Sequence, residues 1–297
     1  MKLVVLKFGG TSVADVPQIK KIALKVKKEV NKSNKVIVVV SAMAGVTNNL
    51  VDLVKTTSEI PSYSEYDVVL STGEQVTSAL LATALNNLNI KARSWLGWQV
   101  PIISDNSYGK AVIEEIKTDN ILEFLKKNQV AIISGFQGVS KENRITTLGR
   151  GGSDTSAVAI AAAFSAERCD IYTDVDGVYT TDPRIVKSAK KLDLITYEEM
   201  LELASQGAKV LQTRSVALAM KYNVKLRVLS SFEDLPGTSI IKEEKNMEKT
   251  EISGIAHSLN EAKITLSGVP DQPGQAAEIF GALAKHSINV DMIVQSS

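Results

Sequence analysis

The chain has 297 residues, 44% of them hydrophobic, with 34 Lys plus Arg against 33 Asp plus Glu. That length favours two domains, one large and one small, and the apolar share supports a sizeable core. A net charge of +1 offers no basic face for nucleic acid, and the single cysteine, Cys169, excludes an internal disulfide and fits a reducing cytoplasm.

Residues 3–6 form an apolar run too short for a signal peptide, which reads as a buried strand. Similar runs recur at 36–40, 130–134, 171–173 and 225–229, and no apolar stretch approaches the length of a membrane span. Between them, helical periodicity fits 16–30, 74–88, 113–127, 153–164, 198–205 and 215–222. The lysine-rich segment 25–35 is interrupted by acidic and apolar residues and reads as the solvated face of a helix. Residues 136–147 read as a hairpin, with Lys141-Glu142-Asn143 at its turn. Cys169, just before the run at 171–173, reads as a small core residue. Strands alternating with helices give an α/β fold: a mostly parallel sheet sandwiched by helices.

This pattern occupies residues 1–241. Residues 242–251 are dense in charge and read as a linker. Beyond them, a small α+β portion is expected over 252–297: a strand pair at 252–258 and 263–269, a helix starting near Pro273, and a strand near 289–295. The two histidines, His257 and His286, both fall in this last fifth. Chemistry located earlier would therefore use no histidine base and no histidine-ligated metal.

Three segments carry candidate chemistry. Lys7-Phe8-Gly9-Gly10-Thr11-Ser12 follows the first strand. Its glycines let backbone amides approach an anion, and Lys7 adds a mobile charge at the carboxyl end of the strand, where open α/β sheets bind ligands. The spacing is not that of a Walker A loop, and a plain Gly-Gly turn with a surface lysine is the alternative. Gly149-Arg150-Gly151-Gly152-Ser153-Asp154 precedes an Ala-rich helix, which Ser153 or Asp154 would cap. The helix amides suit an anion and Arg150 suits a carboxylate. In the third segment, Thr173 and Asp174 open a polar loop that continues through Asp176-Gly177 to Tyr179, Asp182, Pro183 and Arg184. Long loops at sheet edges often bind ligands, and an ordinary turn remains the alternative. Glu74 is ambiguous: Ser71-Thr72-Gly73-Glu74 fits a capping box, in which Glu74 reaches back to the Ser71 amide. Ser41 and Thr47, after the second strand, could likewise be helix caps.

Taken in order, KFGGTS at Lys7 to Ser12, Val40-Ser41-Ala42-Met43, Ser71-Thr72-Gly73-Glu74, the Gly149 to Asp154 segment, the Thr173 to Pro183 segment and Gly207-Ala208-Lys209 resemble the aspartokinases. The likeness extends over essentially the whole chain. Val269-Pro270-Asp271-Gln272-Pro273-Gly274 resembles the start of an ACT domain, a regulatory module that binds amino acids.

The resemblance implies a cytoplasmic, ATP-dependent kinase that phosphorylates the side-chain carboxylate of L-aspartate. That reaction is the first step towards lysine, threonine and methionine. It implies that Lys7, the amides of Gly9, Gly10, Thr11 and Ser12, and Lys209 hold the transferred phosphoryl group, and that Thr173, Asp174, Tyr179, Asp182, Pro183 and Arg184 line the ATP site. Arg150 would hold the α-carboxylate of aspartate, Gly151 and Gly152 would belong to the same substrate site, and Ser41, Thr47, Glu74, Ser153 and Asp154 would orient the substrate, with Glu74 or Asp154 near its ammonium. Asp271, Gly274 and Gln295 match effector-contact positions, with lysine or threonine as candidate effectors, and a homo-oligomer is expected. The chemistry fits this inventory. A side-chain carboxylate of pKa about 3.9 is already an anion and needs no general base. Mg²⁺ would ride mainly on the nucleotide phosphates. Aspartokinases usually carry two ACT units, and this chain ends about halfway through the first, so only a partial ACT-like portion with weak or absent inhibition is expected. An acetylglutamate- or uridylate-kinase-like activity and a silent amino-acid-sensing subunit remain the alternatives.

Overall fold

The first apolar run becomes strand β1 (Leu3–Phe8), and a short 3-10 turn, Gly10–Val13, leads from it to helix α1 (Val16–Asn31). The computed structural model describes residues 2–208, 210–243, 253–257, 262–270, 272–285, 288, 290, 293 and 294. Asp15 caps α1 by accepting the Gln18 amide at 2.8 Å, and Ile19, Ile22, Ala23 and Val26 form its buried stripe. Strand β2 (Lys35–Val40) follows, then helices α2 (Val46–Thr57), α3 (Tyr63–Leu70) and α4 (Thr72–Asn87). Next come β3 (Ala92–Trp95), β4 (Ile102–Ser104), β5 (Ile113–Ile116), α5 (Asp119–Lys126) and β6 (Val130–Ser134). The expected hairpin is β7 (Gln137–Ser140) with β8 (Ile145–Thr147). Helix α6 (Gly152–Ala163) and β9 (Arg168–Thr173) precede three short strands, β10 (Val178–Tyr179), β11 (Lys191–Leu192) and β12 (Leu194–Thr196). Helices α7 (Tyr197–Ser205) and α8 (Thr213–Tyr222) and strands β13 (Leu226–Ser230) and β14 (Thr238–Ile241) complete this part.

The main sheet runs in the order β12-β14-β13-β9-β1-β2-β6-β3, and every neighbouring pair is parallel except β13 with β14. Strand β1 sits at its centre, between β2 and β9, and the side chains of β1 divide the core in two. Val4, Leu6 and Phe8 pack with Ile19, Ile22 and Val26 of α1 and Leu81 and Leu85 of α4. Val5 packs on the opposite face, with Ala157, Val158 and Ile160 of α6. Both faces are therefore covered, as the continuous apolar runs require. A second sheet, β5-β4-β7-β8, stands apart from the first.

Asp170, fully buried on β9, accepts two hydrogen bonds at 2.7 Å from Arg227 of β13, and Arg168 lies 3.0 Å away. Arg168 in turn reaches Glu29 of α1 at 2.7 Å. Glu29 is buried, so the 25–35 segment is not solvated throughout: its single acid ties α1 to the sheet.

The structure corrects the single helix expected over 113–127. Residues Ile113–Ile116 pair with β4 as a strand, and the helix begins only at Asp119. Ile113, Ile116, Ile121 and Leu125 look helically spaced in sequence, yet Lys117-Thr118 separates two different elements. Helices α3 and α4 run into one another through Ser71 (φ −63°, ψ −18°). The stretch Tyr63–Asn87 is long and apolar enough to cross a membrane by length and composition alone. Half of its apolar window is buried in the protein, where α4 packs on α1, β3 and β6, as a core helix does.

The chain divides into two compact units, Met1–His257 and Ser258–Ser297. In the second, helix α9 (Gln275–Lys285) forms as expected, with Pro273 in the turn just before it. The strand pair expected at 252–258 and 263–269 is absent among the described residues, which carry no strand there. Most of the strand expected near 289–295 lies outside the described residues.

Candidate active site

Lys7 is the penultimate residue of β1, and the strand's alternation turns its side chain to the α6 face of the sheet. There Nζ meets Oδ1 of Asp154, in the first turn of α6, at 2.6 Å, and both residues are 8% exposed. Oδ1 has no hydrogen bond of acceptable angle, so this contact is a charge pair rather than an aligned hydrogen bond. The pair sits at the floor of a cleft of about 640 Å³ that also receives Gly10, Ser41, Thr47, Glu74 and Arg150. A Cβ on Gly10 would stand 3.0 Å from the Ala42 carbonyl oxygen, so glycine lets the loop after β1 lie against the loop after β2. Strand β1 has the next strand in sequence, β2, on one side and the much later β9 on the other. This is the topological switch point at which open α/β sheets bind ligands.

Glu74 lies in the first turn of α4 and is only 3% exposed. It does not form the expected capping box. Because α3 continues into α4, the Ser71 amide already donates to the Asp67 carbonyl, and Glu74 Oε1 instead accepts the Ala42 amide at 3.1 Å. Its other oxygen, Oε2, is buried with no hydrogen-bond partner among the described residues. Desolvation pushes the carboxyl up to about 7, against the lowering effect of the Ala42 bond. The cap expected from Ser153 or Asp154 is also not made. Gly151 is the N-cap of α6, in left-handed backbone (φ 68°), and Ser153 and Asp154 lie inside the first turn. Ser41 and Thr47 do not cap α2 either, because that helix starts after Gly45. In the first turn of α6 the Gly152 amide donates to the Gly149 carbonyl at 2.9 Å and the Thr155 amide to that of Gly151 at 3.0 Å, so the amides of Ser153 and Asp154, beside Lys7, are the ones placed to meet an anion. Arg150, exposed at the cleft edge, makes no ion pair with a described carboxylate.

The residues expected around ATP fall at the carboxyl end of β9 and beyond it, outside the cleft lining. Thr173 ends β9, and the Gly9 amide donates to the Tyr172 carbonyl at 3.3 Å, so the two loops abut. Thr173 Oγ1 donates to Asp174 at 3.1 Å, and the Tyr179 hydroxyl to Asp176 at 2.9 Å. Asp182 accepts the Arg184 amide and guanidinium, and those bonds hold its carboxyl down to about 2. The Arg184 side chain is 85% exposed, and Pro183 follows Asp182 on the same loop. Phe8 points into the core and stacks on Tyr172 at 4.7 Å, and Thr11 is exposed. Lys209, Asp271 and Gln295 lie outside the described residues, and Gly274 (φ 98°) belongs to the second unit. Sequence reasoning missed Ser231. Its hydroxyl lies 2.5 Å from that of Ser12 and its amide donates to Thr173, joining the loops after β1, β9 and β13. Its place just past a parallel strand was the available signal. No group of three or more His, Cys, Asp or Glu residues placed to hold a metal occurs among the described residues.

The amino acid kinase family profile matches residues 2–230 and the ACT domain profile residues 264–297. An aspartate kinase of Pseudomonas putida is 54% identical over 297 residues, which is all of this chain and 72% of that protein. The crystal structure of aspartate kinase from Synechocystis is 43% identical with a TM-score of 0.74, covering 99% of this chain and 50% of that one. E. coli aspartokinase III in complex with aspartate and ADP (R-state) is 30% identical with a TM-score of 0.79, covering 99% of this chain and 77% of that one. The same enzyme in complex with lysine and aspartate (T-state) gives a TM-score of 0.82 at 30% identity, covering 100% and 77%.

Proposed function

Because the chain belongs to the amino acid kinase family and is an aspartate kinase, we propose how its residues divide the transfer of the ATP γ-phosphoryl group to L-aspartate. Arg150 grips the α-carboxylate, and the unpartnered Oε2 of Glu74 receives the ammonium. Ser41, Thr47 and Ser153 orient the rest of the substrate, so that its side-chain carboxylate points at the floor of the cleft. Lys7 and the amides from Gly9 to Ser12 hold the γ-phosphoryl group, with Lys209 as a second cation on the same phosphates. Asp154 fixes the Lys7 ammonium. Thr173, Asp174, Tyr179, Asp182, Pro183 and Arg184 hold the rest of the nucleotide.

One carboxylate oxygen of aspartate, already an anion, forms a bond to the γ-phosphorus as the bond from that phosphorus to ADP breaks. The product is 4-phospho-L-aspartate and no proton needs to be removed. The barrier is lowered by alignment and by charge neutralisation from Lys7. Mg²⁺ held mainly by the nucleotide phosphates would add to this charge neutralisation. The enzyme works in the cytoplasm as a homo-oligomer. Lysine, bound in the T-state E. coli structure, is the effector class to test first.

The observation that supports this reading best is the polarity of the cleft. Arg150, a cation without a carboxylate partner among the described residues, and Glu74, a buried carboxylate with one oxygen unpartnered among them, line the same cleft as the Lys–Asp pair. An α-amino acid supplies the complementary pair of charges. Coupled ADP release with Arg150→Ala tests it. The aspartate KM should rise roughly 30-fold or more, equivalent to about 2 kcal/mol, with the ATP KM nearly unchanged. Equal losses for both substrates would give Arg150 a loop-organising role instead.

A further inference from the structure

Asp67, on α3, is a fully buried carboxylate with no basic partner among the described residues. Backbone and hydroxyl donors meet both of its oxygens. The Gly109 amide donates to Oδ1 at 3.0 Å and to Oδ2 at 2.9 Å, the Thr147 amide to Oδ2 at 2.8 Å, and the Thr147 hydroxyl to Oδ1 at 2.6 Å. A buried charge satisfied only in this way is costly unless its geometry serves something. Its two partners lie on different segments, the loop between β4 and β5 and the end of β8, and both line the cleft. Arg214 of α8 ties the same two segments, donating from Nη1 to the Leu148 carbonyl at 2.9 Å and from Nη2 to the Ala111 carbonyl at 2.8 Å. The segments also bond to each other, the Ala111 amide donating to the Thr147 carbonyl at 2.9 Å. Gly149 (φ 75°) follows at once, and a Cβ there would stand 3.0 Å from the Gly109 carbonyl oxygen. The next residue is Arg150.

We propose that Asp67 and Arg214 are positioning residues for aspartate recognition: a carboxylate and a guanidinium, each bonded to both segments, fix the turn that carries Arg150. Neither touches the substrate. This rests on the reading that Arg150 holds the α-carboxylate. A loose turn would cost the bidentate grip its geometry while leaving the Lys7 end of the cleft intact. The effect therefore falls on aspartate and spares the nucleotide. Charge matters as well as shape. Every hydrogen-bond partner of Asp67 among the described residues is a donor, so an amide nitrogen placed at either oxygen would confront another N–H.

The test is steady-state kinetics on the full chain, with Asp67→Asn, Thr147→Val, Thr147→Ser, Arg214→Lys and Arg150→Ala, each below its own unfolding temperature. Asp67→Asn is expected to raise the aspartate KM at least tenfold with the ATP KM within twofold. Thr147→Val moves it the same way and Thr147→Ser restores it. Arg214→Lys gives a smaller rise, since one ammonium cannot span the two carbonyls. In the Arg150→Ala background, Asp67→Asn adds no further aspartate KM effect, because both act through one contact. If Asp67→Asn does not fold, the Thr147 pair decides. Equal rises in both KM values, or additive effects in the double variant, overturn the proposal. If Arg150→Ala raises the aspartate KM and Asp67→Asn and Thr147→Val do not, positioning fails and the substrate reading stands. If Arg150→Ala leaves it unchanged, the substrate reading fails and this proposal falls with it.

Discussion

At Glu74 two forces oppose each other: burial drives the carboxyl towards neutrality, while the Ala42 amide favours its anion. Burial wins, and the folded value near 7 lies above the unfolded value of 4.5. The folded protein therefore binds the extra proton. The stability this contributes is complete below pH 4.5 and is lost as pH rises through about 7, a change of roughly 3 kcal/mol from this group alone. Glu74→Gln cannot titrate, so its melting temperature should exceed that of the parent at pH 8, and the gap should close towards pH 5. Its use of aspartate should be badly impaired. Ammonium binding needs the Glu74 anion, so the parent's aspartate KM should climb as pH falls below about 7, with proton release on binding visible in buffer-dependent calorimetry. A pH-independent KM would refute the ammonium role. Lys7→Ala should lower kcat by roughly 10²–10³-fold while nucleotide binding partly survives, because its charge counts most as phosphate charge redistributes. Near-parental kcat would remove Lys7 from the mechanism. Residue identity made Lys7 and Arg150 legible, since a cation among glycines is conspicuous. Asp67 was not, because its four bonds come from residues 42 and 80 positions away.

The same four-residue signature means different things at the starts of α4 and α7. Thr196 and Glu199 form a complete capping box at the start of α7. Ser71 and Glu74 form none, because α3 leaves α4 no free end to cap. A cap depends on where the preceding element stops, which a local pattern does not carry. For the same reason the central strands were plain in the sequence, as continuous buried runs, whereas β10, β11 and β12 are two or three residues long and owe their existence to partners distant in the chain. The turn between β13 and β14 holds Gly237 in left-handed backbone (φ 72°), where a Cβ would come within 2.1 Å of the Val228 carbonyl oxygen. That obstacle is main chain of a paired strand and cannot swing aside. Gly237→Ala should cost at least about 2 kcal/mol of stability. Urea unfolding checks it: a lower midpoint at unchanged slope is expected, and an unaltered midpoint would show that the turn relaxes freely.

Across the whole molecule, the two units differ in how they treat apolar side chains. In the first, both faces of the sheet are sealed. In the second, Leu266, Val269, Ile288, Val290, Ile293 and Val294 are 43–84% exposed, and α9 has no buried residue among those described. Apolar surface on that scale favours association. Light scattering should give a mass above that of one chain, rising with concentration, and a constant single-chain mass would rule self-association out. The position of β1 has a consequence of another kind, for how the protein is made. The strand that carries Lys7 lies in the middle of the sheet, between a neighbour close in the chain and one far along it. Its β2 neighbour is complete by residue 40, while β9 is not begun until residue 168. At ordinary translation speeds the growing chain waits on the order of ten seconds with one edge of a largely apolar strand unpaired. The helix that brings Asp154 is synthesised only late in that interval. A nascent chain thus exposes its stickiest edge early and completes its charge pair late, so chaperone demand should peak before any catalytic competence exists.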